Sequence, residues 1–522
     1  MTRRAPRALA AAATLALAAW AFFPVFALAL HAQATHTTWT GADGLIGADG
    51  VLGADQLQYL AWARSASAHG LASDLFTLGS GGHVYLEPVS GVVGGLLALG
   101  VSLVAGYLVV KAIAVVALAV AIAAWVARLL PRRPGAQLAA AALALFTVTP
   151  ATAFVNWLQT GSARFRFDVY LAGDELLAAT KLWGYVPAAL ALALMVAALL
   201  CLERALDDGG RRMAGAAAGA ALLCGWLHPW QGITLALIVA ALVPVRRRPR
   251  ELGTLGFVLG AALVPLAYYG VLAHADAAWR IAAHNEDGAR LPITVLALCV
   301  GPLLALGALG VRRPRGEVAE QALLLWVPAG LVTYAVNDAF SSHALEGLMI
   351  PLAILAVRGV ERLRLPAALG WLCVIVLTVP GLGYDARKFV RTSRSDLVQY
   401  FIPRSDGAAL RYLQTRAAAG GVLAPTPFAT VVPSQTGRAV WVGHGDWSPH
   451  YRDRARLVDR LFDGDVGSAV AARAFVRATG ARILIADCAH RGGERALQRA
   501  LAPALVSTRR FGCARVYVLR GA

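Results

Sequence analysis

Lysine is almost missing from this 522-residue chain; it stands only at Lys111, Lys181 and Lys388, so nearly all basic charge is arginine. Charge of any kind is scarce, at 15% of residues against roughly 25% in an ordinary soluble domain. The motifs of soluble enzymes are absent too. There is no phosphate-binding loop, no GxSxG elbow, no HExxH and no CxxC. Those gaps exclude the common nucleotide-hydrolysing, serine-hydrolase and zinc-protease chemistries. The six cysteines show no metal-ligand spacing. Cys201, Cys224, Cys299 and Cys373 lie in apolar runs and read as small packing residues. Aromatic-interleaved basic stripes and nucleic-acid motifs are also lacking, so the net charge of +18 does not point to a nucleic-acid partner.

Apolar surface is what the chain has in excess. Hydrophobic residues make up 58% of it, and the mean hydropathy is +0.61. Such a chain needs lipid as part of its solvent. Apolar runs recur at roughly 9–30, 106–129, 136–154, 184–202, 213–230, 231–245, 253–273, 292–311, 321–337, 345–358 and 366–382. Most have the ~20 residues that a bilayer crossing needs, which predicts an all-α polytopic membrane domain of about eleven transmembrane helices over 1–382.

Arginine sets the sidedness. Basic clusters fall at alternate ends of these runs: Arg3/Arg4/Arg7, Arg128/Arg132/Arg133, Arg204/Arg211/Arg212, Arg246/Arg247/Arg248/Arg250, Arg312/Arg313/Arg315 and Arg358/Arg362/Arg364. The opposite ends carry only Arg64, Lys111, Arg164, Arg166, Lys181, Arg280 and Arg290. The Arg-dense side is cytoplasmic, which places the N-terminus inside and the C-terminus outside the cytoplasmic membrane. The first run is longer than a signal-peptide core and reads as an uncleaved anchor.

A long outer loop, 32–105, follows the first span. It opens on a short repeat, Gly41-Ala42-Asp43-Gly44, Gly47-Ala48-Asp49-Gly50 and Gly53-Ala54-Asp55-Gln56. From Asp55, read as its N-cap, the pattern turns helical. Tyr59 and Trp62 read as interface aromatics on a helix lying along the membrane surface. A glycine-broken apolar piece, 88–104, reads as a re-entrant or surface helix. The tail, 383–522, has strand-like runs at 421–424, 439–442, 483–486 and 515–519 that alternate with helical runs at 406–418, 454–461, 468–479 and 494–501. That alternation predicts a small extracytoplasmic α/β C-terminal domain. Cys488 follows one strand and Cys513 precedes another. If those strands are neighbours the thiols can bridge in an oxidising compartment; otherwise they are two separate buried thiols.

The candidates for chemistry are polar residues of the outer face. Asp55 is placed to act as general base toward an acceptor hydroxyl, or else only caps its helix; Gln56 and Tyr59 stand beside it. A lipid-phosphate leaving group already departs as an anion, so one carboxylate suffices, unlike the paired acids of glycoside hydrolysis. Glu175 can bind substrate and Lys181 a phosphate, with Trp183 and Tyr185 as belt aromatics. His228, next to Pro229, reads as a helix break lining a polar cavity. His343 and Glu346 are neighbours at helical spacing. Arg280, His284 and Glu286 can cradle a phosphate. Lys111 reads as a snorkelling residue. The many outer histidines and acids allow a divalent metal ion, but no ligand spacing supports one, so no metal residue or other cofactor is assigned.

In layout the chain resembles the GT-C superfamily of membrane glycosyltransferases, which use polyprenyl-phosphate-linked sugars. The residues that carry the resemblance are Asp55-Gln56-x-x-Tyr59 in the first outer loop, the tail run Thr436-Gly437-Arg438-Ala439-Val440-Trp441-Val442-Gly443-His444, and the run from Asp453 to Asp463. Trp226 to Gly232 and the Ala-Leu-Glu-Gly run at 344–347 look like features of an actinobacterial branch. The resemblance implies an inverting transferase with Asp55 as catalytic base, a polyprenyl-phosphate sugar donor and an envelope glycan or glycolipid acceptor. Lys181, Arg280 or tail arginines would then hold the lipid phosphate. The sequence departs from the family where a second acid often follows the first; here Gln56 follows Asp55, and Glu87-Pro88 stands where a His-Pro pair is common. A non-catalytic envelope scaffold or lipid-carrier binder is the second reading. A transporter is the third, disfavoured by the lack of paired repeats.

Overall fold

A computed structural model of the chain describes residues 4–44, 51–79, 82–208, 210–246, 248–285, 290–312, 316–394, 397–417, 419–465 and 467–520. Of the residues singled out above, 47–50 of the repeat, Arg3, Arg247, Glu286, Arg313 and Arg315 lie outside the described residues. Among those described, eight helices are long and apolar enough to cross a membrane: Arg7–Ala34, Leu103–Leu129, Val186–Asp207, Pro249–Ala275, Ile293–Gly310, Val318–Val336, Ser341–Arg362 and Ala367–Ser393. The pair Pro134–Phe146 and Pro150–Trp157, bent by 42° at its break, makes a ninth if it counts as one span. Pro150 explains the break, since a proline cannot complete the helical bond and steers the residue before it away from helix. The expected crossings at 213–230 and 231–245 are the helices Arg211–Leu227 and Pro229–Leu242, each shorter than a usual crossing. The chain is a multi-pass membrane protein.

Its residues form two compact units. One comprises Met1–Phe23, Val110–Val271 and Asp287–Val390; the other comprises Pro24–Val109, Leu272–Glu286 and Arg391–Ala522.

The first unit is a helical bundle whose members approach closely where glycine allows it. A Cβ on Gly310 would lie 1.9 Å from the Leu355 carbonyl oxygen, and one on Gly359 would lie 2.0 Å from that of Leu306. Lipid tails are as apolar as leucine, so helices in a bilayer associate through tight packing, and small residues set the distance. Two of the arginines read as cytoplasmic markers also tie helices together. Arg128 forms a two-pronged bond to Glu203 at 2.8 and 3.0 Å. Arg358 does the same to Glu320 at 2.8 and 2.6 Å and donates to the Leu129 carbonyl. Lys111 does not snorkel. Its ammonium is fully buried and donates to the Ala21 carbonyl at 3.3 Å, because neighbouring helices cover its whole length.

In the second unit the helix Val51–His69 begins a turn before Asp55, so Asp55 is not its N-cap. That helix is largely covered by protein. Leu57, Leu60, Ala61 and Trp62 are buried, and Gly94 of the helix Pro88–Ala98 admits the Ala63 backbone so closely that a Cβ would meet its carbonyl at 2.7 Å. Pro88–Ala98 has 11 residues, too few to span, and Glu87 caps it by accepting from the amides of Val89 and Ser90. The strand Thr37–Trp39 pairs antiparallel with Phe401–Pro403.

The tail forms a four-stranded sheet in the order Val422–Leu423, Ile483–Ala486, Ala514–Leu519, Leu505–Phe511; the first pair is parallel and the rest antiparallel. Helices Tyr451–Asp463, Ala469–Thr479 and Glu494–Leu501 cover it with Leu461, Phe462, Val476, Leu497 and Leu501. The run 439–442 is not a strand; only Val440 bridges to Val422. Leu505–Phe511 escapes the pattern of the sequence because it is an edge strand with Ser507, Thr508, Arg509 and Arg510 in the open.

Cys488 and Cys513 are disulfide-bonded, with a separation of 25 residues in sequence. Closing a loop of that length restricts the unfolded chain by roughly 3 kcal/mol. Cys513→Ser is therefore expected to lower the stability of the tail by about that amount, read as a fall in the urea midpoint that added reductant reproduces in the wild type. Asp406, at the start of the helix Arg404–Thr415, accepts the Cys488 amide at 3.1 Å. Burial, with the Asp487 charge adding to it, pushes the Asp406 carboxyl up to about 7. The native state thus holds this proton more tightly than the unfolded chain, and stability from this group falls as pH rises from about 4 to about 7. Asp406→Asn keeps the acceptor and removes the charge. It should raise the melting temperature at pH 8 by more than at pH 5, and equal gains at both would refute the assignment.

Candidate functional site

The second unit holds Asp55 in a dyad. The helix Val51–His69 projects its carboxylate toward His444, and Oδ1 lies 3.2 Å from Nε2. The Asp446 amide donates to Nδ1 of the same ring at 3.2 Å, which leaves the proton on Nε2, facing Asp55. His444 is fixed by a short loop. The amides of Gly443 and His444 donate to Ser448 Oγ, and that hydroxyl donates to the Phe76 carbonyl at 2.8 Å. The Phe76 ring lies 5.4 Å from the imidazole. Asp74 accepts the Phe76 amide at 2.8 Å. Burial opposes a charged His444, but the bond to Asp55 and the charges of Asp446, Asp55 and Asp74 outweigh it and raise its pKa above the ordinary value. His444 is almost fully covered, whereas the Asp55 side chain is 33% exposed. A carboxylate oriented by a buried imidazole and open on its other side can accept a proton from a bound hydroxyl.

The neighbours of Asp55 do other work. Gln56 is buried: its Oε1 accepts the amides of Asp43 and Gly44 at 2.6 and 2.7 Å, and its Nε2 donates to Asp43 Oδ1 at 2.7 Å. It holds the loop before the helix and is not free to bind a substrate. Tyr59 packs edge-on against Trp62 at 5.5 Å. Trp62 in turn belongs to a ring of aromatics with Tyr85, Trp279 and Trp447 at centroid distances of 4.6 to 5.2 Å. Trp62 is thus a core residue, not an interface anchor. Arg280 is exposed on the helix Ala277–Asn285 and donates to the His274 carbonyl at 3.3 Å. His284 Nδ1 lies 2.6 Å from the Arg280 carbonyl oxygen.

The first unit draws the remaining candidates into one buried cluster. Glu175 stands in the last turn of the helix Ala163–Leu176, and Lys181 lies in the 3-10 turn after it. Lys181 Nζ is 2.7 Å from Glu175 Oε2 and 3.2 Å from Glu346 Oε1, with Asp174 at 3.9 Å. His343 Nδ1 lies 3.0 Å from Glu175 Oε1 and 3.2 Å from Glu346 Oε1. His228 Nε2 lies 3.2 Å from Glu346 Oε2. Ser342 Oγ donates to Glu175 at 3.0 Å. Lys181 is surrounded by carboxylates and so is not available to hold a lipid phosphate.

Local sequence explains how these groups meet. Pro229 turns His228 extended, with φ −152° and ψ 97°, between two helices. Gly225 and Gly232 let those helices cross so tightly that a Cβ on Gly232 would lie 2.6 Å from the Gly225 Cα. Gln231 Nε2 donates to the Glu346 carbonyl at 2.8 Å and so clips the break to the Ser341–Leu345 turn. Aromatic rings of Tyr185, Trp230 and Phe340 stand 4.9 to 5.7 Å from His343.

Among the described residues, two groups of side chains have donor atoms within 4.8 Å of one another, as a metal ion requires: Asp55, His444 and Asp446, and His228, His343 and Glu346. In the first, both ring nitrogens of His444 already have hydrogen-bond partners, so the residues are satisfied without an ion. Asp446, Asp74 and Gln231 were not singled out as site residues from the sequence. His444 stood there only as the end of a Gly-His run; nothing marked it as the partner of an acid 389 positions away.

No family model matches the chain, and no curated protein does. Solved structures of low similarity come from Archaeoglobus fulgidus. Its oligosaccharyltransferase, crystallised with zinc and sulfate, is 12% identical with a TM-score of 0.39, over 86% of this chain and 67% of that one. The same organism's oligosaccharyltransferase AglB, in complex with an inhibitory peptide and a dolichol-phosphate, is 12% identical with a TM-score of 0.40, over 93% and 72%. The form tethered to an acceptor peptide is 10% identical with a TM-score of 0.37, over 93% and 72%. At these scores no residue of the present chain takes a role from them.

Proposed function

We propose that the chain is an inverting membrane glycosyltransferase of the GT-C type. It moves a sugar from a polyprenyl-phosphate donor to an envelope glycan or glycolipid acceptor on the outer face of the cytoplasmic membrane. The observation that carries this reading is the Asp55 carboxylate, partly open and held by His444 at 3.2 Å in a multi-pass membrane protein. The acceptor hydroxyl attacks the anomeric carbon from the side opposite the lipid phosphate. Its proton passes to Asp55, the carbon–oxygen bond to the phosphate breaks, and the lipid phosphate leaves as an anion. Configuration inverts because one displacement occurs. In this reading 1–382 carries about eleven crossings and the loop 32–105, with the N-terminus cytoplasmic, and 383–522 is the outer α/β domain.

Membranes with and without the full chain, incubated with labelled polyprenyl-phosphate sugars, test it. Label should appear in a non-extractable or glycolipid product only when the chain is present, and envelope sugar composition should change when it is deleted. No transfer from any such donor, with unchanged envelope sugars, would favour a non-catalytic scaffold or lipid-carrier binder.

A further inference from the structure

We propose that His228, His343 and Glu346 form a binding site for one divalent transition-metal ion of the zinc class. The proposal is independent of the transferase reading, because these residues belong to the first unit while the Asp55 dyad belongs to the second.

The first argument is unmet hydrogen bonding. His228 and Glu346 are fully buried, at 0% and 1% exposure. Both ring nitrogens of His228, Nδ1 of His343 and both carboxylate oxygens of Glu346 make no geometrically sound hydrogen bond, although all but Nδ1 of His228 stand at ion-pair distance of one another, of Glu175 or of Lys181. They lie close together without the angles that hydrogen bonds need. Buried polar atoms are nearly always satisfied, so orphans converging on one point indicate a ligand that supplies the bonds.

The second argument is spacing. Zinc binds histidine nitrogen and carboxylate oxygen at about 2.0–2.2 Å, so tetrahedral ligand atoms stand roughly 3.3 Å apart. His228 Nε2 lies 3.2 Å from Glu346 Oε2 and His343 Nδ1 lies 3.2 Å from Glu346 Oε1, so each histidine faces its own carboxylate oxygen, and one donor atom from each of the three residues falls within 4.8 Å of the others. Two histidines and one glutamate are also a usual set for zinc.

The third argument is charge. Glu175, Glu346 and Asp174 all face the ammonium of Lys181. Three carboxylates converge on this buried place, where a cation bound among them is stabilised. His343, 21% exposed at its side chain, gives an entry path. Sequence spacing could not show the set, since one histidine sits at a helix break and the other two ligands on a turn more than a hundred residues later.

Full-length, tag-free protein, purified in detergent and stripped with a chelator, provides the test. Titration with cobalt chloride should give intense visible absorption of four-coordinate Co2+ at one equivalent, and zinc chloride should abolish it by competition. Zinc should also raise the melting temperature. Glu346→Gln and His228→Asn should lose the band, whereas Asp55→Asn should keep it, which separates this site from the Asp55 group. Should those variants fail to fold, the wild-type spectrum decides alone. Absence of the band, an octahedral spectrum, or its loss in Asp55→Asn would overturn the site.

Discussion

Replacing Lys181 by methionine is expected to cost about 3–5 kcal/mol of folding stability, the largest single loss in the first unit. Lys181 is 3% exposed, and its ammonium faces Glu175 at 2.7 Å, Glu346 at 3.2 Å and Asp174 at 3.9 Å. Methionine fills similar space, so packing is largely kept. What disappears is an ammonium in direct contact with these carboxylates, which stabilises their charge in a buried place. The expected readout is a marked fall in the melting temperature of the detergent-solubilised chain, and in its monodisperse fraction. Pairing the change with Glu175→Gln should recover part of the loss, because contacting charges are not additive. A Lys181→Met protein as stable as the wild type would show that the carboxylates are not charged there.

How much of this was legible beforehand depends on the range of the interactions. Polar residues stand out in an apolar chain, so Glu175, Lys181, His228, His343 and Glu346 could each be picked out singly. Pro229 beside His228 announced the helix break, because the effect of proline on its neighbour is local. Their convergence was not legible, since it depends on which helices pack together, and no local pattern encodes that. Asp55 was found through its loop, but its helix starts earlier than expected: Val51, Leu52 and Gly53 carry no capping side chain to mark the start. Trp62 looked like an interface residue because one face of the helix was assumed to meet lipid; in the structure protein covers it. Gln56 looked like a substrate ligand because amides are versatile, yet its bonds close on Asp43 and Gly44. The tail strands that alternate or run apolar were readable, and the arginine-bearing edge strand was not.

Asp55→Asn is expected to slow sugar transfer by about 10²–10⁴-fold, the range that general-base catalysis supplies. In barrier terms that is about 2.7–5.4 kcal/mol. The substitution keeps the shape of the side chain, and its amide oxygen can still accept from His444 Nε2. Membrane insertion and melting temperature should therefore stay near those of the wild type, and the loss should fall on kcat. What the amide lacks is the basicity to take the acceptor proton as the new glycosidic bond forms. His444→Gln provides the graded companion. It leaves the carboxylate but removes the imidazole that aims it, so its loss should be smaller than that of Asp55→Asn and should again fall mainly on kcat. Initial rates with a labelled polyprenyl-phosphate sugar, measured on equal amounts of folded protein, decide the matter. Full activity in Asp55→Asn would remove this carboxylate from the reaction and leave the Asp55–His444 pair as a structural contact.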